Sequence, residues 1–336
     1  MKTETFKYVI TACDKESNHA GPKAKEDIAR ILVNQNYQEN MLKIPSRKYK
    51  KILYFLHSMN KELNTIKDGI VVLQYPIYSL FLTHKIIKKL RSEDNKLILV
   101  VHDIESLRIF EGVEEDTKKE LEILNSVDGL VVHNQSMVMW LKLHGVRTKM
   151  VTLKIFDYLS SCSISKPQKG RTGIICYAGN LYKAKFLKEF KTDNTVAVFG
   201  PNPADNYPSN IEYRGQYAPE KLPEFLVGDY GLVWDGPSEN TCDGVYGHYL
   251  KYNSPHKVSL YLSSGLPIVI WKQAALANFV QEKSLGIVIE SLADIDHTLG
   301  QVTDEEYLKM KKNVAEIAKK LKSGYFITDA LSKLNQ

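Results

Sequence analysis

Cysteine is scarce in this chain: four in 336 residues, at positions 13, 162, 176 and 242. No two stand at the short spacing of a zinc site or a redox pair, and a chain of this length needs no disulfide to hold its core. A reducing, cytosolic compartment follows. Long apolar runs are missing as well. The most apolar stretch, 69–82, is broken by Gln74, Pro76 and Ser79 and falls short of a membrane span. The first residues, Met1-Lys2-Thr3-Glu4-Thr5-Phe6, are acidic and polar where a secretion signal needs an apolar core. There is no Gly-x-Gly-x-x-Gly after a strand, no Walker loop, no His-Glu-x-x-His and no Gly-x-Ser-x-Gly. Those gaps remove most of the ground for NAD chemistry, P-loop hydrolysis, zinc proteolysis and α/β-hydrolase chemistry. A strong excess of one charge is also lacking. The net charge is +6, and the Lys-rich segments 85–91 and 309–322 have no aromatic stripe, so a nucleic-acid partner is not expected. They read as solvated faces, with peripheral contact to the anionic inner face of a membrane as a lesser alternative.

What is present is a regular alternation. Short apolar runs at 8–12, 70–73, 97–101, 129–132, 174–177, 196–199, 231–234, 267–271 and 286–289 mostly lack polar alternation, which suits parallel strands covered on both faces. Amphipathic segments at 23–34, 80–90, 117–124, 137–143 and 258–263 separate them. Strand and helix in turn specify an α/β chain with parallel sheets. The rhythm lapses across 160–172, a polar stretch with Pro167 and Gly170, which reads as a linker between two nearly equal domains, with a boundary near residue 160. Near the C-terminus, Thr303 with Glu306 forms a capping box, Gly324 ends the long helix, and Thr328 opens a last short one.

The residues fit for chemistry gather at predicted strand ends. The run ending at Trp234 leads into Asp235-Gly236-Pro237 and a long polar loop reaching Asn253. Asp243, Tyr246, His248, Tyr249, Lys251 and Tyr252 in that loop can hydrogen-bond a polyol or a phosphate; a solvent-exposed insertion is the competing reading. Next comes Asn253-Ser254-Pro255-His256-Lys257-Val258-Ser259, with Ser254 as N-cap and Pro255 at the first helical position. A helix start flanked by His256, Lys257 and Ser259 is ready for a diphosphate. After the first strand of the second half, Gly179 permits close backbone approach, Asn180 offers donor and acceptor, and Lys183 can meet a phosphate. In the first half, His102 and Asp103 end a buried strand. They suit acid–base work or a sugar hydroxyl, and equally a packed imidazole beside a capping carboxylate. Tyr75 and Tyr78 form either a stacking floor or part of the core.

Several of these stretches together resemble a bacterial sugar-transferase family of GT-B fold. They are 231–236 (GLVWDG), 249–253 (YLKYN), Pro255-His256-Lys257, Leu260-Tyr261-Leu262, His102-Asp103-Ile104, His133-Asn134, 154–158 (KIFDY) and Tyr177-Ala178-Gly179-Asn180. The family includes the β-1,6-galactofuranosyltransferases of surface-polysaccharide gene clusters and the glucosyltransferases that extend glycans on serine-rich adhesins. The likeness spans nearly the whole chain and leans to the galactofuranosyl branch.

The resemblance implies two Rossmann-like domains facing a cleft: an acceptor-side domain, 1–160, and a nucleotide-sugar domain, 161–319, with a C-terminal helix, about 320–336, crossing back to the first. It implies a UDP-sugar donor held by Ser17, Lys23, Asn180, Lys183, Asp235, Tyr252, Ser254, His256, Lys257 and Ser259. The saccharide acceptor would meet Gln74, Tyr75 and Arg108 beside His102 and Asp103. Many retaining GT-B enzymes carry two glutamates eight residues apart here; Tyr252 and Leu260 stand in their places, so no stereochemistry is assigned. The chain has no Asp-x-Asp triplet, so neither a metal nor another cofactor is expected. The leading expectation is a cytoplasmic hexosyltransferase, dimeric or tetrameric, moving galactofuranose or glucose in cell-surface polysaccharide or glycoprotein glycan synthesis. Asp103 is the candidate base, and charge developing on the diphosphate would be met by the helix start. A nucleotide-sugar epimerase of the same fold and a non-catalytic partner of another glycosyltransferase are the alternatives.

Overall fold

The computed structural model describes residues 6–12, 20–42, 54, 59–77, 79–108, 112–162 and 170–335. The chain divides into two units: Met1–Leu153 together with Ile327–Gln336, and Lys154–Phe326.

The first unit runs β1 (Phe6–Ala12), α1 (Ala20–Val33), β2 (Gln38–Leu42), α2 (Met59–Leu63), β3 (Gly69–Tyr75), α3 (Leu80–Arg91), β4 (Lys96–Val101), α4 (Glu114–Asn125), β5 (Gly129–Val132), α5 (Gln135–Leu143) and β6 (Met150–Thr152). Its six strands form one parallel sheet in the order β2-β1-β3-β4-β5-β6. The central strands are apolar on both sides because helices cover both faces; every residue of β5 is buried. The strand order reverses between β1 and β3. In open α/β sheets that reversal opens a crevice beyond the carboxyl ends of the strands.

The second unit runs β7 (Ile174–Ala178), β8 (Thr195–Phe199), β9 (Ile211–Tyr213), β10 (Tyr230–Val233), α6 (Gly244–Tyr249), α7 (His256–Ser263), β11 (Ile268–Trp271), α8 (Ala277–Glu282), β12 (Gly286–Ile289), α9 (Ile295–Gln301) and α10 (Asp304–Ser323). Its sheet, also parallel, has the order β12-β11-β10-β7-β8-β9. Counted from the unit's own first strand this is the dinucleotide-fold order, with the reversal between β7 and β10. The polar segment 235–253 is not a plain loop: α6 occupies part of it.

The capping box at Thr303 and Glu306 starts α10, and Gly324, at φ 75°, ends it. The final helix α11 (Tyr325–Leu334) starts three residues ahead of Thr328. From Ile327 it belongs to the first unit. There Thr328 Oγ1 accepts from Gln35 Nε2 at 2.6 Å, the Leu334 carbonyl accepts from Lys149 Nζ at 3.1 Å, and the Leu334 side chain lies over Gly129.

The division between units falls at Leu153 and Lys154, ahead of the polar stretch at 160–172. Residues 154–158 are already fastened to the second unit. The Lys154 and Phe156 carbonyls accept from the Ser254 and Ser259 hydroxyls at 2.7 and 2.6 Å, and Tyr158 OH donates to the Pro219 carbonyl at 2.7 Å.

Candidate active site

In the second unit the site is built on the reversal point. Strand β7 ends at Ala178 and turns at Gly179; β10 runs into Trp234 and Asp235; α7 rises behind both. Gly231 lets α7 come this close. A Cβ there would stand 2.2 Å from the Tyr261 ring, so only glycine leaves room for that ring on the sheet. Lodged in this gap, Tyr261 OH accepts the Ala178 N–H at 2.6 Å and so fixes the end of β7 to α7.

The first turn of α7 carries Lys257. Its Nζ lies 2.8 Å from Asp235 Oδ1 and 3.0 Å from Tyr177 OH, and Tyr177 OH lies 2.9 Å from the same Asp235 oxygen. Lys257 and Asp235 side chains are each 11% exposed. Burial, with the Asp235 charge beside it, pushes the Tyr177 phenol well above its ordinary value, so it stays protonated and donates. Lysine, carboxylate and phenol thus form one satisfied cluster. Lys257 is not a bare cation awaiting a phosphate: Asp235 neutralises it.

The helix start differs from its sequence reading. Pro255 occupies the N-cap position, the helix begins at His256, and no side chain caps it. Ser254 stands one residue ahead of the cap position, and its hydroxyl donates to the Lys154 carbonyl. Ser259 is buried, its hydroxyl donating to the Phe156 carbonyl. Pro255 thus brings no side-chain cap to the first turn of α7, where the positive end of the helix lies. His256 packs against the Tyr158 and Phe156 rings at centroid distances of 5.0 and 6.2 Å.

Around this cluster, Asn180 Oδ1 accepts from the Tyr182 N–H at 3.1 Å and from Asn202 Nδ2 at 2.9 Å. Lys183 holds its ammonium 4.5 Å from the centre of the Tyr246 ring. Tyr252 stands in the turn between α6 and α7, its N–H on the Tyr249 carbonyl at 3.0 Å. Asp243 packs onto Gly236, and its Oδ1 is buried with no hydrogen-bond partner.

The first unit gathers a second cluster beyond β3, β4 and β5. Gln74 is fully buried. Its Nε2 donates to Thr11 Oγ1 at 2.7 Å and to the Lys25 carbonyl at 2.9 Å; its Oε1 lies 2.9 Å from His102 Nε2. Tyr75, also fully buried, donates to Glu120 Oε1 at 2.6 Å. Neither side chain presents a surface to an acceptor, which corrects their expected contact role; both instead hold neighbours in place. Glu120 further accepts the N–H groups of Glu105 and Ser106 at 3.0 and 2.7 Å, along with the Ser106 hydroxyl. This carboxylate fastens the 3-10 turn Glu105–Leu107 that follows Asp103. Arg108 sits between two carboxylates, 3.3 Å from Asp103 Oδ2 and 2.9 Å from Glu105 Oε1. His133, at the end of β5, donates through Nε2 to the Val101 carbonyl at 3.1 Å, and burial pushes its pKa down to about 4 despite the nearby Asp103 charge. Lys23, assigned to the donor by resemblance, is buried in an ion pair with Asp27 one helical turn on. Ser17 and Tyr78 lie outside the described residues.

Residues 7–155 match the family model described as glucosyltransferase 3-like, N-terminal domain, and residues 175–334 match its C-terminal counterpart. A beta-1,6-galactofuranosyltransferase, WbbI of Escherichia coli (strain K12), is 33% identical over 248 residues, covering 71% of each chain. The chain belongs to the glucosyltransferase 3-like family. Another relative, Glucosyltransferase 3 of Streptococcus gordonii, is 28% identical over 242 residues, again 71% of each chain. Among solved structures, sucrose-phosphate synthase from Thermosynechococcus elongatus aligns with a TM-score of 0.62 over 97% of both chains at 11% identity, which establishes the fold as GT-B. This glucosyltransferase 3-like protein is therefore a glycosyltransferase of the hexosyl-transferring class built on two Rossmann-like domains.

The sequence reading overlooked Tyr177, Tyr261 and Glu120. Tyr177 and Tyr261 stood within quoted motifs, but their partners Asp235 and Ala178 come from other strands. Glu120 left a usable signal: it shares the buried face of α4 with Ile123 and Leu124, so a carboxylate falls on the apolar stripe of an otherwise acidic helix.

Proposed function

We propose that this glycosyltransferase moves a hexose, galactofuranose or glucose, from a UDP-sugar to a saccharide acceptor. The observation that carries the reading is the first turn of α7, which starts after Pro255 and carries Lys257, at the strand-order reversal of the second unit. That combination suits a diphosphate. The relatives' names supply the hexose, and the resemblance of the loop-and-helix motif supplies the uridine nucleotide. Arrival of a diphosphate offers Lys257 a second anionic partner beside Asp235. The orphaned Asp243 oxygen gives a donor hydroxyl an acceptor that the protein itself leaves without a donor. On the leaving side, backbone N–H groups and lysine charge stabilise the departing diphosphate without requiring a metal. Acceptor handling falls to the first-unit cluster around His102 and Asp103. Family membership selects transfer over epimerisation. The buried thiols of Cys176 and Cys242 fit a reducing compartment, so we place the reaction in the cytosol, with cell-surface glycan synthesis as its setting.

The test is a donor panel of UDP-galactofuranose, UDP-glucose and UDP-N-acetylglucosamine, each with octyl glucoside and octyl N-acetylglucosaminide, read by mass spectrometry. One of the first two donors should yield an acceptor heavier by one hexose. Conversion of a donor in the absence of acceptor, with no transfer in its presence, would overturn the reading.

A further inference from the structure

We propose that Asp235 loosens the grip of the site on spent UDP by competing with the terminal phosphate for the ammonium of Lys257, and that Tyr177 is the positioning residue that holds lysine and carboxylate together. The proposal rests on the hexosyl-transfer reading above.

An ammonium has three N–H donors and no acceptor. In Lys257 all three have a partner within the second unit: Asp235 Oδ1 at 2.8 Å, Tyr177 OH at 3.0 Å and the Trp234 carbonyl at 3.4 Å. The phenol's own proton goes to the same Asp235 oxygen at 2.9 Å, so toward Lys257 the phenol oxygen only accepts. The ends of β7 and β10 thus grip a side chain that α7 presents. One approach stays open. Gly179, the turn residue after β7, lies against the ammonium; a Cβ there would stand 3.9 Å from Nζ. A phosphate arriving at Lys257 must therefore displace a partner already in place. The Trp234 carbonyl, neutral and farthest away, yields first, while the charged Asp235 oxygen at 2.8 Å stays and shares the lysine with the ligand.

This sharing weighs differently on donor and product. In a UDP-sugar both ends of the diphosphate are esterified, which leaves two negative charges. In transfer the acceptor hydroxyl gives its proton to water and bonds to the anomeric carbon. The bond from that carbon to the diphosphate breaks, and its electron pair leaves with UDP. The terminal phosphate then holds a further charge, only partly protonated because its second pKa is about 6. A lysine without a carboxylate partner would attract that added charge and hold product more tightly than donor. With Asp235 on the ammonium, the local charge is balanced before UDP forms, so the added charge brings little extra affinity. Product release, a step that often limits turnover, is eased.

Calorimetry on the full-length chain tests this with UDP and with the donor that the panel selects, in the absence of acceptor. Asp235→Asn should bind UDP about tenfold more tightly and the donor no more than about threefold more tightly. Steady-state kinetics should show the inhibition constant of UDP falling by the same factor. There kcat should fall while kcat/KM for the donor stays within about threefold. A merely structural role does not raise affinity for product. Made in a Lys257→Met chain, the same change should leave UDP affinity unmoved, because the carboxylate then has no ammonium to occupy. Should Asp235→Asn fail to fold, Tyr177→Phe decides. It removes one hydroxyl, leaves lysine and carboxylate paired, and frees one N–H, so UDP should bind about threefold more tightly. UDP held no more tightly by Asp235→Asn, or by Tyr177→Phe where that variant decides, overturns this proposal and leaves the transferase reading intact. An equal gain in the Lys257→Met chain overturns it as well. A wild type that transfers from no donor overturns both.

Discussion

Lys257 does two jobs that a single substitution cannot separate. Removing it strips positive charge from the α7 start and also leaves Asp235 buried without its partner, a loss of about 3–5 kcal/mol for a buried pair. Lys257→Met should therefore destabilise the protein by about 3 kcal/mol in urea unfolding and also weaken UDP binding in calorimetry. Replacing Asp235 with Asn in the same chain should recover most of the stability and none of the affinity. Equal recovery of both would show that the lysine acts on donor binding only by holding the loop. His133 makes a prediction about pH. Its folded pKa, about 4, lies below its ordinary 6.5. Above pH 6.5 both states are neutral and the stability is fully present. As pH falls the unfolded ring takes a proton that the folded ring refuses, at about 1.4 kcal/mol per pH unit until pH approaches 4. Urea unfolding at pH 7.5 and pH 5 should differ by about 2 kcal/mol more in the wild type than in His133→Gln. An identical pH slope in the variant would refute the assignment.

At the scale of elements, α7 is the part on which the proposed donor site depends, and Gly231 is what lets it lie where it does. Gly231→Ala drives a methyl into the Tyr261 ring. Overpacking of this kind costs about 1–3 kcal/mol, and the Tyr261–Ala178 bond should be lost with it. The expected result is a lower urea midpoint with reduced UDP affinity, partly rescued by a second change, Tyr261→Leu, in stability but not in affinity. The same scale shows what could be read from sequence. Of the nine strands legible as apolar runs, eight lie inside their sheets, and the ninth, β12, is an edge strand that is apolar though half-buried. The three that escaped, β2, β6 and β9, are all sheet edges, with the sequences QENML, MVT and IEY and mostly half-buried or exposed residues. An edge strand need not be apolar on both sides, so its periodicity fades. The capping box and the terminating glycine of α10 were legible since cap chemistry is local. The α7 start differs by one residue from its reading: Pro255 holds the cap position, while the Ser254 hydroxyl donates to the Lys154 carbonyl, a hundred residues away in sequence.

Across the whole molecule, the two domains share a parallel-sheet plan yet wind differently, with the reversal between β1 and β3 in one and between β7 and β10 in the other. In each, residues from both sides of the reversal meet: Thr11 with Gln74, and Tyr177 with Asp235. Sequence motifs pointed to the strand ends; which ends lie side by side was decided by strand order, which no local pattern encodes. The chain's route has a consequence of its own. Residues 154–326 leave the first domain after Leu153 and rejoin it at Ile327 for its last ten residues, and Asp157, near one end, accepts the backbone N–H of Phe326 at the other, at 3.0 Å. The second unit is thus a continuous segment whose two ends are stitched together. On the proposed division of labour, such a cassette carries the choice of nucleotide sugar as one piece, while the first unit keeps its own closing helix.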